Sequence, residues 1–161
     1  MGLYKKFKKA VRKAWFEETH APKEPLLALY ILMRNDLNSL NPGKAVAQGS
    51  HSANQMVYDA HLSAVSSQSP RSEEIKDMVT QWSSEASGFG TCLVLSVNEY
   101  QMRSAVALAK SLGIHSGITH DPTYPLLDGE TLHLIPLDTC AYVFGYKHEL
   151  KPIVGQFSLM P

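Results

Sequence analysis

The sequence NDLNSLNPGKAVAQGSHSA, residues 35–53, decides the fold because it carries the passage from a strand into a helix. It follows a strongly apolar run, residues 26–33, whose composition predicts a buried strand. Asn41 is a candidate N-cap, and Pro42 suits the first position of a helix because its fixed φ is already helical. The sequence therefore predicts a buried strand followed by a helix that runs from Pro42 to about Val65.

That helix has two distinct faces when its residues are placed 100° apart. The polar face carries an amine, two amides and an imidazole, from Lys44, Gln48, His51 and Gln55. The apolar face carries Val46, Ala53, Val57, Ala60 and Ala64. We expect the apolar face to pack on a sheet and the polar face to point outward. The polar face begins where the chain leaves a strand, which is a common place for a site in α/β proteins.

The rest of the chain alternates strand-like and helical runs. We predict strands over residues 91–97, 114–119 and 139–145 and a helix over residues 72–82. A second helix is predicted between the N-cap Asn98 and Gly113, and its buried face includes Leu112. An extra hairpin is predicted near residues 126–135, with its turn at Asp128 and Gly129. This alternation predicts a single α/β domain, residues 25–161. We expect a three-layer sandwich, with a mixed sheet of about four strands and helices on both faces.

Composition favours a soluble, intracellular protein. The chain has 161 residues, 44% of them hydrophobic, which is enough for one domain with a real core. No apolar run approaches the ~20 residues needed to cross a bilayer, and the basic N-terminus lacks the apolar segment of a signal peptide. Cys92 and Cys140 lie in apolar, strand-like runs without metal-ligand spacing, so we expect buried free thiols. These features predict a cytoplasmic location.

Charge divides the chain into an N-terminal arm, residues 1–24, and the domain. The arm contains seven Lys or Arg and three Glu, a net charge of +4, and the remainder is −4 because the whole chain is neutral. Apolar side chains recur in the arm at helical spacing, at Leu3, Phe7, Val11, Ala14 and Trp15. The arm is therefore predicted to be a basic amphipathic helix followed by a linker. Three roles stay open for it: docking on the domain, contact with RNA or the ribosome, and binding to a membrane surface or a partner protein.

Two motifs carry a resemblance to a known family. Residues 34–37 read RNDL and residues 43–53 read GKAVAQGSHSA, which resemble the strand end and the helix of the type-two peptidyl-tRNA hydrolases. The resemblance continues more weakly through residues 112–114 to Asp121, and it ends in GQFSLM at residues 155–160. It implies hydrolysis of the ester bond between peptide and tRNA, with tRNA as the partner and with no cofactor or metal ion.

The resemblance also implies site residues. The positions that match residues implicated in the family's chemistry are Lys44, Gln48, Asp121 and Thr139. Ester hydrolysis needs an activated water and a positive charge near the developing oxyanion, roles that suit a carboxylate and a lysine ammonium. For substrate binding we expect Arg34, Asn35, His51 and Thr123 in the domain, and Lys5, Lys6 and Lys9 in the arm. An alternative alignment uses Thr131 in place of Thr139.

The chain also departs from the family pattern. After Asp121 it reads PTYP, residues 122–125, where the family has Ala-Gly and Arg-Thr-Gln elements. The loop ahead of Lys44, residues 38–41, contains no Lys or Arg, although the family is often lysine-rich there. The scattered histidines lack metal-ligand spacing, so no metal site is predicted. A second interpretation therefore stays open, namely a catalytically weak tRNA-, ribosome- or protein-binding module on the same fold, as a monomer or a dimer.

Overall fold

The structure, a computed structural model, describes residues 26–66 and 71–161. In chain order its elements are β1 (Leu27–Arg34), α1 (Pro42–Ser66), α2 (Ser72–Ser84), a short 3₁₀ turn (Ala86–Gly88), β2 (Cys92–Val97), α3 (Glu99–Ser111), β3 (His115–Asp128), β4 (Thr131–Tyr146), α4 (Lys147–Val154) and β5 (Ser158–Leu159). The N-terminal arm, with Lys5, Lys6 and Lys9, lies outside the described residues. None of the helices in the described ranges is long and apolar enough to cross a membrane.

The strands form one mixed sheet in the order β3-β4-β1-β2-β5. Strand β1 pairs in parallel with β2 and antiparallel with β4, and the two outer pairs are antiparallel. Because β1 lies in the middle of the sheet, its side chains are buried on both faces, as its continuous apolar run predicts. The predicted α/β fold with a mixed sheet is confirmed. The sheet has five strands instead of about four because the two-residue β5 adds to the free edge of β2.

Helices cover both faces of the sheet, so the three-layer arrangement is also confirmed. On one face α1 and α2 close a core that includes Leu29, Met33, Met56, Met78, Cys140 and Phe144. On the other face α3 and α4 close a core that includes Leu32, Val97, Met102, Val106, Val143 and Ile153. Alternate residues of each central strand enter opposite cores, which is why the strands read as unbroken apolar runs.

The predicted helix starts are correct because they depend on local hydrogen bonds. The Asn41 side chain accepts from the backbone N–H of Lys44 at 2.9 Å, and Asn98 forms a reciprocal capping box with Gln101 at the start of α3. One prediction at the other end of α3 is wrong: Leu112 is 52% exposed. It lies just after the last helical residue, where the chain turns into β3 and its side chain no longer follows the buried face.

The orientation of α1 agrees with the prediction only in part. Of the predicted apolar face, Ala60 is buried and Ala53 and Val57 pack against the core, whereas Val46 is 71% exposed. Gln48, predicted to point outward, is buried together with Ser52 and Met56. The reason is that β4 presents hydrogen-bonding groups to this helix: Cys140 donates its S–H to the carbonyl oxygen of Gln48 at 3.3 Å. A helix packed on such a strand turns small and polar side chains inward. The apolar pattern alone does not contain that information.

The predicted hairpin near residues 126–135 is not a separate insertion. Strand β3 continues to Asp128 and β4 starts at Thr131, so the two strands form one long antiparallel ribbon with Gly129 at φ +59° in the turn. Two shifts in register interrupt the ribbon, between Thr119 and His120 and between Asp121 and Tyr124. Strand β3 is the edge of the sheet, which explains why it tolerates two prolines.

The close packing of β3 on β4 yields a first prediction. A Cβ atom at Gly117 would lie 2.7 Å from the ring of Tyr142, which is buried and donates its hydroxyl to Asp59 at 2.7 Å. The ring therefore cannot move aside. We expect Gly117→Ala to destabilise the domain by about 1–3 kcal/mol through overpacking, measured by urea unfolding.

The control for this prediction is Gly43→Ala in the first turn of α1. There the added Cβ has ordinary contact only, 3.5 Å from Asn41, and alanine favours a helix over glycine. We expect this variant to be as stable as the parent or more stable. Equal stability of both alanine variants would contradict the packing described for β3 and β4.

Candidate active site

The centre of the site is a chain of three side chains that links β4 to α1 and α1 to β3. The hydroxyl of Thr139 donates to the Gln48 amide oxygen at 2.6 Å, and the Gln48 amide nitrogen donates to Asp121 Oδ2 at 2.6 Å. Thr139 is fully buried and Gln48 is 3% exposed. A carboxylate can only accept, so the amide must turn its N–H₂ group toward Asp121 and its oxygen toward Thr139.

The second oxygen of Asp121 is held by the loop that follows it. The backbone N–H of Thr123 donates to Asp121 Oδ1 at 2.9 Å, and the Thr123 hydroxyl lies 3.5 Å from the same oxygen. This bond closes a turn across Pro122, at the shift of register between Asp121 and Tyr124. One fixed donor on each oxygen holds the carboxylate plane in place.

Asp121 borders a cavity of about 320 Å³. The cavity is lined by Gln48, His51, Gln55, Thr119, His120, Asp121, Pro122 and Thr123. A carboxylate, two amides and a threonine hydroxyl thus meet in one open space, with the exposed residue His51 at its border. This set can orient a water molecule and the polar groups of a substrate. Among residues 26–66 and 71–161, no cluster of three or more His, Cys, Asp or Glu could hold a metal ion.

Lys44 lies one helical turn before Gln48, beside this cavity and not in its lining. Its ammonium donates to the carbonyl oxygen of Pro125 at 2.6 Å and lies 4.9 Å from the centre of the Tyr124 ring. Tyr124 is fully buried, and its hydroxyl is 3.1 Å from that of Ser39. The long β3–β4 ribbon therefore holds the lysine through Pro125 and Tyr124.

The predicted substrate-binding residues at the end of β1 make contacts within the protein. Arg34, 6% exposed, donates to Asp36 at 2.8 and 3.2 Å, to Glu99 at 3.1 Å and to the carbonyl oxygen of Asp138 at 3.1 Å. Asn35 donates its side-chain amide to Ser96 at 3.0 Å. The hydrogen bonds from Arg34 hold the pKa of Asp36 below its usual value. Both residues brace the strand end on which the site is built.

The two candidate threonines make different contacts, and the structure adds residues that the sequence did not single out. Thr139 contacts Gln48, whereas Thr131 pairs with Asp128 at the exposed tip of the ribbon. Asp138 accepts from Arg103 at 2.7 Å and pairs with His120 Nδ1 at 2.8 Å, and these two partners lower its pKa against the opposing effect of burial. Neither Asp138 nor Tyr124 carried a sequence signal, because their partners are distant in the chain.

A carboxylate fixed at an open cavity by a buried amide, with a lysine one helical turn from that amide, provides the kinds of side chain that general acid–base chemistry uses. The family model of peptidyl-tRNA hydrolase PTH2 matches residues 27–160 of this chain. The chain therefore belongs to the type-two peptidyl-tRNA hydrolase family. No curated protein matches the chain in a direct comparison.

The buried hydrogen bond between Thr139 and Gln48 yields a second prediction. Thr139→Val preserves side-chain shape but leaves the Gln48 amide oxygen buried without its donor. We expect a loss of about 1–3 kcal/mol in the free energy of unfolding. Thr139→Ser keeps the hydroxyl and should lose less than Thr139→Val. The reverse order in urea unfolding would show that the methyl group matters more than the hydrogen bond.

A third prediction concerns pH. Because the folded-state pKa of Asp36 lies below its ordinary value of 3.8, its contribution to stability is present above that value and is lost as the pH falls through the folded pKa. Asp36→Asn should cost about 1 kcal/mol at pH 7, because Arg34 loses a charged partner whose carboxylate is partly exposed to water and screened by it. The difference in free energy of unfolding between variant and parent should become smaller at pH 3 and below.

Urea unfolding at pH 7 and pH 3 measures this gap. The matched control is Asp128→Asn at the exposed tip of the ribbon, which we expect to change stability by less than about 0.5 kcal/mol. A gap for Asp36→Asn that is as large at pH 2.5 as at pH 7 would contradict an ionised Asp36 as the stabilising partner of Arg34.

Proposed function

We propose that the protein hydrolyses the ester bond of peptidyl-tRNA and releases peptide and tRNA. One observation carries the proposal: in a chain of this family, a carboxylate is fixed at the border of an open cavity by a buried amide, through the Gln48 contact with Asp121 at 2.6 Å. Substrate binding falls to His51 and Thr123, because both line the same cavity. Gln48 and Thr139 act as positioning residues, since their polar atoms are used inside the protein.

In the proposed reaction Asp121 accepts a proton from a water molecule as the water oxygen attacks the ester carbonyl carbon. The carbonyl becomes a tetrahedral oxyanion, and the bond to the ribose oxygen of the terminal adenosine then breaks. Asp121 returns the proton to that ribose oxygen, so the products are a free peptide carboxyl and a free tRNA hydroxyl. General base catalysis of this kind typically contributes about 10²–10⁴-fold in rate.

Lys44 supplies the positive charge in this proposal. Its ammonium is held near the site by Pro125 and Tyr124, and a lysine has three N–H donors and a flexible stem. It can therefore keep or exchange the Pro125 contact while another N–H turns to the oxyanion or to a phosphate near the tRNA 3′ end. A positive charge already held beside the site stabilises the transition state at a smaller cost of reorganising water than a charge recruited from solution.

The same contact favours a second candidate, a tRNA-binding module with little catalysis. The Lys44 ammonium already donates to a carbonyl oxygen at 2.6 Å and lies outside the cavity lining. A lysine that stays on Pro125 would not reach an oxyanion, and tRNA would then be held by other groups of the chain without catalysis. Turnover separates the two candidates, because a binding module retains tRNA without releasing peptide.

The fourth prediction tests the carboxylate. Asp121→Asn keeps the size of the side chain but removes the negative charge that accepts the water proton. We expect kcat to fall by about 10²–10⁴-fold with peptidyl-tRNA of defined sequence, measured by release of labelled peptide. The control Asp128→Asn, at the exposed tip of the same ribbon, should retain full activity. Unchanged turnover in Asp121→Asn would sink the proposed mechanism.

The fifth prediction tests the lysine. We expect Lys44→Ala to lower kcat/KM by the equivalent of about 2–4 kcal/mol, as is typical for removal of an electrostatic donor. Lys44→Arg, which keeps the charge but not the geometry, should fall between parent and alanine variant. Full activity of Lys44→Ala would leave this residue without a role in the reaction, and no turnover by the parent protein would favour the binding module.

A further inference from the structure

An open apolar groove lies on the α1 side of the sheet, and its lining shares no residue with the lining of the cavity at Asp121. We name it the α1–β2 groove; its volume is about 610 Å³. Its lining consists of Ile31, Met33, Leu40, Asn41, Pro42, Ala45, Val46, Gly49, Ser50, Ala53, Cys92, Val94, Met160 and Pro161. None of these residues carries a charged side chain. The groove also exposes Cys92, which corrects the prediction that both free cysteines are buried.

The groove exists because the helical layer on this face is incomplete in the described part of the chain. Helix α1 packs on β1, β3 and β4, and α2 packs on α1 and β1. Next to them, Cys92 and Val94 of β2 face open space, and Val46 of α1 is exposed at the opposite wall. An uncovered apolar strip of sheet beside a helix can bind the apolar face of one more helix.

We propose that the N-terminal arm of the same chain occupies the α1–β2 groove. The arm is the nearest segment outside the described residues, and it carries one apolar face of five side chains, at Leu3, Phe7, Val11, Ala14 and Trp15. That face matches a groove without charges, and the lysines of the opposite face remain in water.

The chain is long enough for this placement. The arm joins β1 just before Leu27, and the groove begins at Ile31, about 13 Å further along the strand at ~3.3 Å per residue. The linker, residues 20–25, spans at most roughly 22 Å when fully extended. The linker is therefore long enough for the apolar face of the arm to reach the groove from the start of β1.

Docking has an electrostatic consequence at the active site. The groove includes Leu40, Asn41 and Pro42, which immediately precede Lys44 at the start of α1. The arm would bring the six basic residues of its first 13 to this surface, where the loop of residues 38–41 has none. It would thus supply the phosphate-attracting charge that the acidic domain lacks. This consequence rests on the proposed function, whereas docking itself does not.

Cys92 offers a direct test, because it is a free, exposed thiol in the groove. Val11→Cys in the full-length chain places a second thiol on the apolar face of the arm, and Lys9→Cys places one on the opposite face. After mild oxidation, and in parallel after treatment with a short bis-maleimide, we expect Val11→Cys to link to Cys92 within one molecule. The rate should exceed that of Lys9→Cys at least about tenfold, owing to the higher effective concentration of a docked thiol.

A substitution in the groove tests the same contact from the side of the domain. Val46→Asp puts a charge on an exposed wall of the groove and should leave the fold intact. Added to Val11→Cys, it should slow the link to Cys92 to the rate of Lys9→Cys. In the otherwise unmodified chain it should also weaken tRNA binding and flatten its dependence on salt.

Three results would overturn the proposal. Equal linking rates for Val11→Cys and Lys9→Cys would show that the arm has no preferred face on the domain. Links that join two molecules would assign the groove to the arm of a second copy. Linking that Val46→Asp leaves unchanged would place the arm elsewhere. None of these linking measurements needs turnover, so they remain valid if the enzyme is inactive. If the arm links to Cys92 but Val46→Asp leaves tRNA affinity unchanged, only the electrostatic consequence is refuted.

Discussion

The rest of the site depends on one buried amide. Gln48 is enclosed between α1 and the sheet, so each of its polar atoms must find a partner inside the protein. Thr139 satisfies the oxygen and Asp121 accepts from the nitrogen, both at 2.6 Å. These two bonds join α1 to β4 and to β3, and together with the backbone N–H of Thr123 they set the direction of the Asp121 carboxylate at the cavity. A polar residue at this core position thus packs less favourably than an apolar one would, but its hydrogen bonds define the geometry of the site.

Lys44 is held differently from Asp121 and Gln48. Asp121 is joined to the buried Gln48 by a hydrogen bond at 2.6 Å, whereas the Lys44 ammonium, at the end of a flexible stem, donates to Pro125 and lies over the Tyr124 ring. The domain has a net charge of −4 and the arm a net charge of +4. Under the proposed function, the domain would hold the reacting groups and the arm would attract the polyanion.

Sequence reasoning was accurate where structure is local. The caps at Asn41 and Asn98 and the buried strand β1 follow from short patterns that determine their own hydrogen bonds. The length of the β3–β4 ribbon, the rotation of α1 and the contacts of Tyr124 were missed, because each depends on a partner that is remote in sequence. The resemblance to the family pointed to Gln48 and Thr139 as site residues. It did not show that both are buried or that Gln48 links Thr139 to Asp121, since burial is decided by what packs against a helix and not by the helix alone.

The most direct test of this account is a double-mutant cycle on turnover between Gln48 and Asp121. If Gln48 acts by positioning the carboxylate, Gln48→Ala should lower kcat strongly in the parent but very little in Asp121→Asn, where no carboxylate is left to position. The account predicts that the double variant is about as active as Asp121→Asn alone. Losses from the two substitutions that add in full would contradict it, because Gln48 would then contribute to the reaction independently of Asp121.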